Sequence, residues 1–242
     1  TTGSIGAGIV ISEGVTAMVK PADHTSICIR RRGYNGKKSE ETHGSPLLEH
    51  VMENLTITAS VVTESVLPIG AGFGLSAAAL LATLTALNRL YCLEMEAEQI
   101  AGIAHAAEVA HRTGLGDVAA CQGGGRVVRH GPGIHGRIER RFDMPEPLYA
   151  VSFGPIHTPT VLGSSEQMDR ISGAFPTTKP KDYEDFFLLS RHFSVMSGLI
   201  TDEVRDVMQL CDAAGISSGM TMLGNGIFAY GKKARDILLP CG

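Results

Sequence analysis

Short alternating apolar runs and longer segments with apolar residues three and four apart divide this chain into strands and helices. Ile9-Val10-Ile11 and Val15–Val19 predict strands on either side of a Glu13-Gly14 turn, and Ser26–Arg30 predicts another. Arg30 to Ser45 is polar and glycine-bearing, as expected of a hairpin and a loop. Pro46–Asn54 predicts a short helix, and Leu55–Val62 alternates as a strand does. A helix is expected from about Ser76 to Tyr91. Ile100, Ile103, Ala104 and Ala107 form an apolar stripe at helical spacing, so a further helix should span roughly Met95 to His111. Thr113-Gly114-Leu115-Gly116 breaks it, and Asp117-Val118-Ala119-Ala120 starts the next element.

Gly123-Gly124-Gly125 predicts a turn into a strand at Arg126–Arg129. Met144-Pro145-Glu146-Pro147 marks a boundary that divides 1–145 from 146–242. Past it, Leu148–Phe153 reads as a strand, Tyr183–Leu199 and Asp202–Ala214 as helices, and Ile227–Tyr230 as a strand after the glycine-containing loop Gly215–Gly226. No internal repeat is present. The irregular alternation predicts an α+β protein of two layers rather than a doubly wound sheet.

Composition narrows the class. With 43% hydrophobic and 19% charged residues, 242 residues suffice for a sizeable buried core. A net charge of −4 argues against a nucleic-acid surface. No apolar run is long enough for a transmembrane helix. The five scattered cysteines lack metal-ligand spacing and suit reduced thiols in a cytoplasmic protein. The chain opens at Thr1-Thr2-Gly3 without a methionine or a signal-like segment, so native sequence is expected upstream.

The densest chemical signal is Leu67-Pro68-Ile69-Gly70-Ala71-Gly72-Phe73-Gly74-Leu75-Ser76, followed by Ala77-Ala78-Ala79-Leu80. Three glycines at alternate positions allow close backbone approach and unusual dihedrals. They feed a helix N-terminus, whose free amides and positive dipole end suit a phosphate. Ser76 falls in the first turn, within reach of a phosphate or its magnesium. The plain alternative is a tight strand-to-helix turn packed with small residues. Gly226–Lys233 nearly spells a Walker A loop, but it lacks the closing Ser/Thr and its middle is an apolar strand.

His105, Glu108 and Arg112 are spaced to share one helical face, and Asp117 follows a Gly-x-Gly break that can aim its carboxylate elsewhere. Two separately oriented carboxylates suit phosphoryl transfer, one holding magnesium and the other handling an acceptor hydroxyl. A solvated helix face with Asp117 as a helix cap is the alternative. Arg126 and Arg129 point to opposite sides of a strand, so at most one enters any site. An arginine there is a natural bidentate clamp for a substrate carboxylate.

Pro68-Ile69-Gly70-Ala71-Gly72-Phe73-Gly74-Leu75-Ser76-Ala77-Ala78 resembles the phosphate-binding motif of the galactokinase, homoserine kinase, mevalonate kinase and phosphomevalonate kinase (GHMP) superfamily. Within that superfamily, Gly3-Ser4-Ile5-Gly6-Ala7-Gly8, the Glu108 to Asp117 segment and Gly123–Arg129 together resemble the archaeal pantoate kinases. Gly219–Gly226 stands where the superfamily has its C-terminal glycine motif.

The resemblance implies a two-domain GHMP kinase fold, with an N-terminal α+β domain, a ferredoxin-like C-terminal domain and the active site in the cleft between them. It implies ATP on Pro68, Gly70, Ala71, Gly72, Phe73, Gly74, Leu75 and Ser76, and Mg2+ on Ser76 and Glu108. Asp117 matches the catalytic aspartate. Ser4, His105 and Arg129 are expected on the acceptor, which this resemblance makes (R)-pantoate, on the way to coenzyme A. Mevalonate, homoserine and shikimate stay open as acceptors, as do a catalytically silent nucleotide-binding member and a homodimeric assembly. The superfamily's first motif, a short Pro-Gly segment ahead of Gly3, is expected in sequence upstream of Thr1.

Overall fold

The computed structural model describes residues 3–33 and 39–242. The turn expected between the strands of the 30–45 hairpin lies partly in 34–38, outside the described residues, but its arms are present. They are β3 (Ser26–Arg31) and β4 (Glu40–His43), paired antiparallel after β1 (Gly6–Ile9) and β2 (Thr16–Pro21).

Helix α1 (Pro46–Asn54) begins where the sequence places it, for a local reason. Ser45 accepts a hydrogen bond from the Leu48 amide, Glu49 accepts one from the Ser45 amide, and Pro46 supplies a preset φ in the first turn. Strand β5 (Ala59–Ser65) then completes a four-stranded sheet of order β2-β5-β3-β4, in which β3 and β5 run parallel.

Helix α2 (Leu75–Tyr91) packs on this sheet, and α3 (Ala97–His111) packs against α2 and α1. Ala77, Leu80, Leu84 and Leu87 from α2 meet Ile100, Ala101, Ala104 and Ala107 from α3 in one buried cluster, with Leu48, Val51 and Met52 of α1. The alanines let the helix axes approach, so Glu108, next on the buried stripe of α3, is carried into the interior.

A second sheet contains β1, β6 (Arg126–Arg129) and β7 (Ile138–Arg141), after the five-residue helix α4 (Asp117–Cys121). The strands flanking Glu13-Gly14 therefore do not pair with each other. β1 pairs antiparallel with β6, opposing Gly6 to Arg129, while β2 pairs with β5. Strand β7 reads Ile-Glu-Arg-Arg and carries no apolar alternation; its position beside β6 makes it a strand.

The remainder builds a second core. Strand β8 (Leu148–Pro155), β9 (Ser218–Met220) and β10 (Gly224–Tyr230) form an antiparallel sheet of order β8-β10-β9. Helices α5 (Thr158–Gly163), α6 (Ser165–Ala174), α7 (Tyr183–Met196), α8 (Asp202–Ala213) and α9 (Ala234–Leu238) accompany it. Val204, Val207, Met208 and Cys211 of α8 pack with Ile227 and Ala229 of β10, and Tyr149, Val151 and Phe153 of β8 join them. Helix α6 turns only the apolar Met168, Ile171 and Ala174 inward, a stripe of one residue per turn too sparse to predict it from sequence. The expected loop Gly215–Gly226 instead contains β9 and a turn. No helix among the described residues is long and apolar enough to cross a membrane.

Candidate active site

The glycine loop joins β5 to α2. Gly70, Gly72 and Gly74 all lie in the left-handed region, with φ of 75°, 79° and 63°, which glycine enters without steric cost. Two of them also lie against the second core. A Cβ on Gly70 would sit 2.7 Å from Pro155 Cβ, and one on Gly72 would sit 2.9 Å from the Thr221 carbonyl carbon. The Gly70 carbonyl accepts a 3.1 Å hydrogen bond from the Ile156 amide. Ala71 is buried against Gly224, while Pro68, Phe73 and Leu75 are half-buried.

Gly74 caps α2 without a side chain, whereas Ser45, Ser164, Asp182 and Thr201 cap α1, α6, α7 and α8 through side-chain oxygens. The first-turn amides of α2 are thus offered to an anion rather than to a side-chain cap.

Ser76, in that first turn, donates a 2.5 Å hydrogen bond to Glu108 Oε1. Thr113 Oγ1 approaches the same oxygen at 3.5 Å. Glu108 is fully buried, and its Oε2 has no hydrogen-bond partner among the described residues. Burial, and then the nearby Asp117 charge, push its carboxyl from the ordinary 4.5 up to about 7, against the pull of the Ser76 and Thr113 hydroxyls.

Helix α3 stops at His111, where Arg112 takes φ 55°. This removes Arg112 from the face on which sequence spacing placed it: it is exposed, and its guanidinium lies by Gly163 of α5. The turn that follows brings Asp117 back toward Glu108. A Cβ on Gly114 would sit 2.8 Å from both Glu108 carboxylate oxygens and 2.9 Å from Asp117 Oδ2, so only a hydrogen fits where the two acids converge. Asp117 is the first residue of α4. Burial raises its pKa, and the Arg129 charge opposes the rise.

Arg129 reaches this point from β6. Its Nη1 donates to the Ser4 carbonyl at 2.6 Å and to Ser4 Oγ at 3.2 Å, and its guanidinium lies across Gly116, where a Cβ would be 1.7 Å from Nη1. Burial lowers the Arg129 pKa, and Asp117 offsets part of that. Arg126 faces the other way, fully buried at its side chain and paired in bidentate fashion with Asp143 at 3.1 and 2.6 Å. Of the two strand arginines, the site receives Arg129.

The structure thus brings Ser76, Glu108 and Asp117 together, and sets Ser4 and Arg129 beside Asp117. His105 lies half-buried on α3, one turn before Glu108. Thr113 went unnoticed in the sequence except as part of a helix break; only the turn geometry returns its hydroxyl to Glu108. Cys121, at the end of α4, has its thiol pushed up to about 12 by burial and the two carboxylates, which keeps it neutral.

Residues 44–125 match the family model for the GHMP kinases N terminal domain. Over 241 residues the chain is 44% identical to the pantoate kinase of Methanospirillum hungatei, covering all of this chain and 83% of that protein. The chain belongs to the GHMP kinase family. This kinase is also 30% identical to the pantoate kinase of Methanocaldococcus jannaschii, over 96% of its own length and 85% of the relative's. Among solved structures it resembles a phosphotransferase related to the CoA biosynthesis pathway, with TM-score 0.71 and 27% identity over 97% of this chain and 81% of the other. The mevalonate kinase of L. major shares the fold, with TM-score 0.66 at 17% identity over 97% of this chain and 83% of that one. The kinase is therefore an ATP-dependent small-molecule phosphotransferase, with ATP as its co-substrate.

Proposed function

We propose that this kinase phosphorylates the primary hydroxyl of (R)-pantoate, giving (R)-4-phosphopantoate and ADP. The observation that carries the reading is the placement of Arg129 and Ser4 beside Asp117 in a chain that matches curated pantoate kinases along its whole length. Pantoate pairs a carboxylate with a secondary and a primary hydroxyl. The half-buried Arg129 guanidinium answers the carboxylate, Ser4 and His105 answer the secondary hydroxyl, and Asp117 answers the primary one.

In this reading ATP lies with its phosphates on the Gly70–Ser76 loop and the first turn of α2. Asp117 accepts the proton of the primary hydroxyl as that oxygen forms its bond to the γ-phosphorus. The bond from the γ-phosphorus to the bridging oxygen breaks, and ADP leaves with that electron pair. Arg129 favours the ionised form of Asp117 by its charge, against the effect of burial, and orients the acceptor through its carboxylate.

The residues present fit a magnesium ion. Glu108 Oε2 is buried and without a hydrogen-bond partner among the described residues, and Ser76 Oγ is hydrogen-bonded to the same carboxylate, a hard oxygen pair of the kind Mg2+ takes together with substrate phosphates. Ser76 and Glu108 would hold it, and it would supply charge neutralisation on the transferring phosphoryl group.

The two hydrophobic clusters support a division into an ATP-binding unit, 1–145, and a ferredoxin-like unit, 146–242. The reading places the enzyme in the cytoplasm, where ATP is available. A panel of acceptors comprising pantoate, mevalonate, homoserine and shikimate, read by ADP formation, tests it. Turnover selective for pantoate is expected, and selective turnover of another acceptor overturns it.

A further inference from the structure

Arg140, on β7, directs its guanidinium at the C-terminal end of the helix that carries Asp117 and at the turn after it. Its Nη1 donates to the Ala120 carbonyl at 2.9 Å and to the Gly124 carbonyl at 3.0 Å, and its Nη2 donates to the Ala119 carbonyl at 3.0 Å. Gly123 leaves room for this: a Cβ there would sit 2.8 Å from Arg140 Nε. Gln122 closes the remaining turn by donating from its side chain to the Val118 carbonyl at 3.2 Å.

Helix α4 has only five residues, far fewer than a helix needs to hold itself by its own hydrogen bonds. Its last carbonyls are the orphan acceptors of a helix C-terminus, where a cation is also favoured by the dipole. A planar guanidinium can satisfy several carbonyls at once from one fixed position. Asp117 opens the same five residues, so whatever fixes Ala119 and Ala120 fixes the direction in which its carboxylate leaves the helix.

We propose that Arg140 is a positioning residue for phosphoryl transfer, which locks the C-terminal end of α4 and thereby aims Asp117 at the acceptor hydroxyl. The inference rests on the reading of Asp117 as the group that takes the hydroxyl proton. A misaimed base costs turnover rather than nucleotide affinity, and a displacement near 1 Å is worth about 10²-fold in rate.

The test is a double-mutant cycle between Arg140→Ala and Asp117→Asn, with kcat, KM for ATP and Tm measured on each variant. Arg140→Ala should lower kcat by about 10²-fold with KM for ATP nearly unchanged. The same substitution in the Asp117→Asn background should have no further effect on kcat, because the group being aimed has gone. Arg140→Lys, which keeps the charge and some of the donors, should recover part of the loss. Losses that multiply, or an Arg140→Ala variant that turns over normally, overturn the proposal.

Should Arg140→Ala not fold, Arg140→Lys carries the same cycle: a loss that vanishes beside Asp117→Asn supports the proposal, and one that persists overturns it. An Asp117→Asn enzyme with full kcat instead overturns the reading of Asp117 itself, and this proposal with it.

Discussion

Ser76 and Glu108 lie 32 positions apart in sequence and share a 2.5 Å hydrogen bond at the head of α2. That bond joins the glycine loop to the buried acid of α3, so the two halves of the candidate site form one unit. Burial raises the carboxyl that it engages well above the ordinary carboxylate range.

The titration of Glu108 should be visible in stability. Its carboxyl is raised from the ordinary 4.5 to about 7 in the fold, so the folded chain keeps a proton that the unfolded chain has released. The associated stability is complete below about pH 4.5 and is lost as pH rises through about 7. Glu108→Gln removes the titration and keeps an acceptor for Ser76. In thermal melts from about pH 5 to about pH 8 the wild type should lose Tm relative to this variant; parallel curves would contradict the assignment. Adding Mg2+ with ATP should restore the wild type at the alkaline end, since a cation favours the ionised carboxylate.

Asp117→Asn keeps the shape of the side chain and removes its basicity. General-base assistance is worth about 10²–10⁴-fold, so kcat should fall by that order with KM for ATP nearly intact. Steady-state kinetics at saturating ATP decide this, and an undiminished kcat would remove Asp117 from the mechanism.

If Arg129 clamps the acceptor carboxylate as proposed, Arg129→Ala should raise KM for pantoate far more than KM for ATP. It should also move the acidic limb of the kcat/KM profile to higher pH. The reason is that the Arg129 charge now holds the buried Asp117 carboxyl down, and without it desolvation raises that carboxyl further. Equal changes in both KM values with an unmoved pH profile would mark Arg129 as purely structural.

Gly224→Ala tests the contact between the phosphate loop and the second core. A Cβ at this position would lie 2.0 Å from the Ala71 carbonyl carbon and 2.4 Å from the Gly72 nitrogen, so the loop must shift. Overpacking of this kind costs about 1–3 kcal/mol. A lower Tm and a higher KM for ATP are expected, with KM for pantoate little changed; unaltered ATP kinetics would separate the loop's function from this contact.

Much of the candidate site is legible in the sequence. The alternate glycines ahead of a long Ala/Leu helix are a local signal, because positive φ and helix nucleation are decided within a few residues. The apolar stripe of Ile100, Ile103, Ala104 and Ala107 was legible for the same reason, whereas the burial of Glu108 beside it was not. Helical spacing misplaces Arg112 because it runs one residue past His111, where the helix ends as expected and the backbone turns left-handed. Strand β7 was passed over because a polar edge strand is made by its neighbour, not by its own pattern.

Local chemistry in the sequence by itself determined the class of reaction: a phosphate loop, a following hydroxyl and two acids on separate backbones. Tertiary structure alone decided which arginine serves the site, since strand alternation separates Arg126 from Arg129 without saying which face is inward. It also decided that Ser4 and Arg129, 125 positions apart, meet beside Asp117, through the pairing of β1 with β6. Such pairings depend on which surfaces bury one another, and no local pattern encodes them. The carboxylate oxygens of Glu108 and Asp117 converge around Gly114 for the same reason: the turn brings them close, and only the packed core holds them there.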